Sequence, residues 1–138
     1  MSINKNFEKL LKEKGVPYNY QTIEDGHHLY RMTYKIAEDR HVVVEVIVQE
    51  SDTQYCDAQI IYRQIHYVKD RSKELDILQE INRLNEATTG YYNLFLAGDG
   101  EVILRSLLRT GQDPEPLYQT IIVGSAIAKQ VIPKFSNQ

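Results

Sequence analysis

The stretch "HVVVEVIVQ", residues 41–49, constrains the fold of this chain more than any other. Val42, Val44, Val46 and Val48 recur with period two, the signature of a strand with one face against a core. Val43 and Ile47 predict partial cover on the opposite face. Three more runs flank it. "YNYQTI" (18–23) and "HLYRMTYKI" (28–36) bracket "EDGH", a turn in which Gly26 can take positive φ. "YCDAQIIYRQIHYV" (55–68) is long for one strand, and its apolar phase slips at Ile60–Ile61, which predicts a bulge or bend.

Helical spacing surrounds these strands. Residues 3–14 place Ile3, Phe7, Leu10 and Leu11 on one face, with Ser2 as cap and Gly15 and Pro17 as stop signals. Residues 71–88 carry a stripe of Leu75, Leu78, Ile81 and Leu84, widened by Ile77, with Asp70 or Ser72 as cap. "YYNLFLA" and "EVILRSLL" read as two strands around "GDG". Asp113 and Pro114 open a last helix over 114–132, stopped by Pro133. Its "TIIVG" run is β-branched and suits a strand locally, but caps and length favour helix. The order α-β-β-β-β-α-β-β-α predicts one α+β domain, 1–138, with an antiparallel sheet packed by helices. It lacks the alternation of a parallel doubly wound sheet.

A net charge of −3 over 138 residues argues against binding to nucleic-acid backbones or anionic membranes. The chain has no apolar run near the ~20 residues that span a bilayer, and "MSINKNFEKLLKEKG" lacks the apolar core of a signal peptide. Cys56 is the single cysteine, which fits a reducing compartment; a cytoplasmic location is expected.

Few residues suggest chemistry. From Asp99 the alternate positions of a calcium loop would be Glu101, Ile103 and Arg105, so "GDG" reads as a hairpin turn and not a metal site. His27, His28, His41 and His66 lack metal-ligand spacing and read as exposed strand-end residues. Cys56 has no nucleophile signature around it and reads as a small core residue. Ser106 and Ser125 lack a nucleophile elbow, and no phosphate loop is present. Most of the ten tyrosines fall on predicted strands. They suit half-buried positions first and a peptide-binding face second. The last helix is apolar around more than one face. Gly124 and Ala128 form a small-residue strip, so Ile121, Gly124, Ser125, Ala128 and Ile132 are the expected interface of a homodimer.

The segment 75–108, "LDILQEINRLNEATTGYYNLFLAGDGEVILRSLL", resembles the YbjN-like family of bacterial sensory transduction regulators. A helix ending Ile81-Asn82-x-Leu84-Asn85 leads to an aromatic strand with Phe95. The Asp99-Gly100 turn then opens an aliphatic strand through Val102 and Leu104. The resemblance implies a fold like that of type III secretion chaperones, often dimeric, with a protein-binding or regulatory role and no known catalytic residues. The expected function is a non-enzymatic, chaperone-like module for a protein or peptide partner, without cofactor. The alternative is a small ligand- or metal-binding protein or enzyme with a pocket between sheet and helices, using groups such as His28, His41 and Cys56.

Overall fold

The structure is a computed structural model that describes residues 2–136. The chain runs α1 (Ile3–Glu13), β1 (Asn19–Thr22), β2 (His28–Ala37), β3 (Arg40–Val48), β4 (Tyr55–Tyr67), α2 (Glu74–Ala87), β5 (Asn93–Leu96), β6 (Glu101–Gly111) and α3 (Glu115–Val131). The strands form one antiparallel sheet in the order β1-β2-β3-β4-β6-β5, so the expected α+β order of elements is observed. Both edges are strands of four residues, so the outer sides of β2 beyond Arg31 and of β6 beyond Arg105 have no strand partner among the described residues.

Strand alternation sorts the side chains as expected for β3: Val42, Val44, Val46 and Val48 are all fully buried. They join Tyr30 and Met32 of β2, Ile60 and Tyr62 of β4, and Leu104 of β6 in one core cluster. Helix α1 adds Ile3, Phe7 and Leu11, each at most 2% exposed. Full burial of such side chains contributes roughly 1.5–3 kcal/mol apiece. Ser2 caps α1 through Lys5 N, and Phe7 meets Tyr30 edge-on at 5.2 Å. Asp70 caps the 3-10 turn that leads into α2, accepting from Ser72 N at 3.0 Å. Asp113 accepts from Glu115 N at 3.0 Å and starts α3.

The stripe expected on α2 is rotated. Ile77, Ile81 and Leu84 face the core, whereas Leu75 is 66% and Leu78 43% exposed. Positions 77, 81 and 84 are as helical in spacing as 75, 78, 81 and 84. The helix carried leucines on two adjacent faces, and docking against β5 chose between them. The β4 irregularity also lies further along than the phase slip suggested. Ile60 faces the helices and Ile61 the other side in regular alternation, and the bulge falls between Tyr62 and His66.

Helix α3 crosses the sheet at Gly124. An added Cβ there would collide with the Tyr92 hydroxyl and the Tyr62 ring. Those two rings meet edge-on at 5.9 Å. The Tyr92 hydroxyl donates to Thr120 O at 2.6 Å, and the Tyr62 hydroxyl donates to Ile121 O. Burial pushes both phenols well above their ordinary range, so they remain protonated donors through the neutral region.

Two stability measurements follow from this packing. Ile77→Ala should lower the unfolding free energy by about 2–5 kcal/mol, and Leu78→Ala by less than about 1 kcal/mol, in urea melts; a reversed order would place the stripe on the wrong face. Gly124→Ala, which would stabilise an exposed helix by about 1 kcal/mol, should here cost about 1–3 kcal/mol through overpacking.

Candidate functional site

All three helices feed the one core cluster, so the second face of the sheet is left without a helical layer. The residues of opposite parity line it. Val43 and Ile47 of β3, Ile61 of β4 and Phe95 of β5 are half-buried there, and Leu107 of β6 is 64% exposed. A charge ladder crosses these apolar residues. Arg31 donates to Glu45 Oε2 at 2.7 Å, Arg63 donates to Glu45 Oε1 at 3.3 Å, and Arg63 also donates to Glu101 Oε1 at 3.0 Å. Burial acts to lower the Arg63 pKa, but its hydrogen bond to Glu101 and the charges of Glu101 and Glu45 outweigh that and raise it. Arg109 pairs with Asp57 at 2.8 Å, and the Arg105 guanidinium stacks over Phe95 at 4.6 Å.

The ladder ends on the β4 bulge. Tyr62 pairs with Leu104 and His66 with Val102, so Arg63, Gln64 and Ile65 all oppose the single residue Ile103. Gln64 is forced to φ 65°, a left-handed conformation that costs a non-glycine residue roughly 1–2 kcal/mol. Three bonds hold it. Gln64 N donates to Glu101 Oε2 at 2.9 Å, and Arg40 Nη2 donates to Gln64 O at 2.5 Å and to Ile65 O at 3.4 Å. Strain of this kind persists only where the surroundings over-determine it, and bulges cluster next to functional sites. The extra residues turn Ile65 into the core and lay the His66 ring on Phe135 at 5.4 Å.

Beside the bulge, between the end of β4 and the start of α2, lies a cleft of about 430 Å³. Half-buried His66 and Val68 line it together with Arg40, Lys69 and Lys73, while Ile65 and Ile77 behind them belong to the core. Burial, reinforced by the charge of Arg40, lowers His66 below its usual 6.5, so the imidazole is neutral at neutral pH.

The residues singled out from sequence are placed as follows. The "GDG" segment forms the β5–β6 turn, with Gly100 N bonded to Ala97 O and Asp99 Oδ1 accepting from Glu101 N at 3.0 Å. Glu101 does more than flank a turn: it is 4% exposed and anchors the bulge. The only sequence signal for that role was an acidic residue opening an aliphatic strand. Arg40, at the β2–β3 turn, carried none. His28 is not an exposed strand end; it is buried, with Nδ1 2.7 Å from the Tyr20 hydroxyl and Nε2 3.4 Å from Glu50 Oε1. His28 pairs with Val48, and His41 lies seven residues back along β3, about 23 Å away at the rise of a strand. Cys56 is buried, and desolvation raises its thiol pKa, the wrong direction for a nucleophile. None of these three residues lines the cleft. Among the described residues no group of three His, Cys, Asp or Glu side chains is placed to hold a metal ion.

The tyrosines do not make one binding face, since Tyr30, Tyr62 and Tyr92 belong to the core. The small-residue strip of α3 is likewise internal. Ile121, Gly124 and Ala128 are buried, Ser125 and Ile132 are half-buried, and Gly124 meets tyrosines of its own chain. The large apolar residues that α3 does expose are Ile122 and Val123. No helix among the described residues is long and apolar enough to cross a membrane.

Compared with known proteins, the chain matches no family model and no curated protein.

The bulge geometry makes Glu101 the residue of greatest consequence on this side of the sheet. Glu101→Ala strands a buried amide and removes one partner of a guanidinium, and should cost about 2–3 kcal/mol in urea melts. Glu101→Gln keeps an acceptor for Gln64 N and should recover part of that loss. Asp99→Ala, at the exposed turn, should stay within about 1 kcal/mol of the parent.

Proposed function

We propose that this chain is a non-enzymatic, cytoplasmic polypeptide-binding module whose helix-free sheet face takes an extended segment of a partner protein that presents apolar and acidic side chains on the same side. The observation that carries the reading is the composition of that face. Arg31, Lys35, Arg63, Arg105 and Arg109 stand on it against Glu45, Asp57 and Glu101, five cations to three carboxylates, in a chain of net charge −3. Lys35 and Arg105 have no ion pair among the described residues. Half-buried Val43, Ile47 and Ile61 lie between the charges, so apolar residues on the sheet-facing side of an extended partner segment would bury them. Acidic residues on that same side, alternating there with the apolar ones, would meet the arginines, which favour planar carboxylate contacts. The resemblance to YbjN-like regulators and the secretion-chaperone fold points to the same class of partner. The lone, buried Cys56 fits a reducing compartment.

The test is fluorescence polarisation with two labelled peptides, one repeating Val-Ser-Glu-Ser, which puts Val and Glu on one side of the extended chain, and one repeating Val-Ser-Lys-Ser. The Val-Ser-Glu-Ser peptide should bind with micromolar affinity that weakens as salt rises. Arg105→Glu with Arg109→Glu should reduce that affinity at least tenfold. Equal binding of both peptides, or none at millimolar concentration, overturns the proposal. So does a homodimer in sedimentation that Leu107→Glu dissociates, because the face would then belong to a second copy of the chain.

A further inference from the structure

The cleft beside the β4 bulge is a second surface with its own chemistry, and the polypeptide reading makes no use of it. Its volume, about 430 Å³, falls in the range of small-molecule sites. Its charges are unbalanced. Arg40, Lys69 and Lys73 line it, and none of the three forms an ion pair among the described residues. The carboxylate at the rim, Asp70, is turned to Ser72, accepting from its N at 3.0 Å and its hydroxyl at 2.8 Å. Arg40 is also held in place. Its Nη2 is fixed on the carbonyls of Gln64 and Ile65, while Nε and Nη1 have no partner among the described residues. A guanidinium oriented in advance loses less freedom when an anion arrives.

We propose that this cleft binds a small phosphorylated molecule, its phosphoryl group held by Arg40, Lys69 and Lys73 and its organic body resting on the half-buried His66 and Val68. Three cations suit a dianion better than a single carboxylate, because each adds a charge-assisted hydrogen bond to a different phosphoryl oxygen. The volume exceeds what a bare phosphate fills, and the Val68 side chain and His66 ring supply contact for carbon atoms. His66 stands beside the cations as a neutral imidazole, able to donate a hydrogen bond without adding charge.

Isothermal titration with inorganic phosphate and with phenyl phosphate tests this directly. Both should bind at one site, phenyl phosphate roughly tenfold more tightly because its ring removes apolar surface from water. The exposed pair Lys69→Gln with Lys73→Gln should weaken phenyl phosphate at least tenfold without changing the melting temperature. Lys9→Gln with Lys12→Gln, exposed on α1 and not among the residues lining the cleft, should change nothing. The His66 ring resonances should move on titration of the parent protein and stay still in the Lys69/Lys73 variant at the same ligand concentration. Failure of phenyl phosphate to bind at 10–20 mM, by order of magnitude the weakest useful affinity, overturns the proposal. Undiminished binding to the Lys69/Lys73 variant overturns it too. Tight binding of a phosphoserine peptide without binding of phenyl phosphate would assign the cleft to a modified protein and likewise overturn it.

Discussion

The contact of Gly124 with Tyr62 and Tyr92 is the constraint on which the rest of the molecule depends. A helix can lie this close to two tyrosine rings only where it has no Cβ. Each hydroxyl then reaches a carbonyl of the helix backbone, at Thr120 and Ile121. The pairing is reciprocal: the phenols would be unsatisfied buried donors without the helix, and the helix could not approach without the glycine. Helix α3 so placed covers β2, β4 and β6, and contacts α1. The helical layer is thereby gathered on one side of the sheet, and the other side is left free.

The position of β6 is the second decisive feature. β5 follows α2 in sequence yet occupies the edge, and β6 returns to lie between it and β4. Length explains the choice. An eleven-residue strand beside a thirteen-residue one satisfies far more backbone than the four-residue β5 could. This insertion brings Glu101 across from Tyr67, next to the bulge it anchors. A strained residue, a buried carboxylate and a bridging arginine thus meet, although Arg40, Gln64 and Glu101 are far apart in the chain.

On the free face, the exposed Arg109–Asp57 pair contributes little to stability, about 0–1 kcal/mol, whereas the ladder through Glu45 and Glu101 has largely buried carboxylates. Its value lies in arrangement. Arg31, Glu45, Arg63 and Glu101 run across four neighbouring strands. They sit between apolar residues, in a chain whose overall charge is of the opposite sign to this face. The bulge at the end of the ladder also shapes the cleft behind it, so one backbone irregularity serves two surfaces.

The elements of the fold were legible in the sequence, and their boundaries nearly so. Val42 to Val48 could only be a half-buried strand, Ser2 and Asp113 marked helix starts, and "GDG" marked a tight turn. These are local matters of periodicity, capping and backbone sterics, which neighbouring residues settle among themselves. What depended on partners distant in the chain was not legible. Leu78 and Ile77 are equally good helix-face residues, and only docking chose Ile77. Gly124 read as a place for a second chain to approach, because nothing local reveals that Tyr62 and Tyr92 fill the space. Glu101 read as a turn flank because its acceptor role exists only once β6 lies beside β4. Local geometry is written in spacing, but which face is buried, and which polar groups meet, is a property of the assembled sheet.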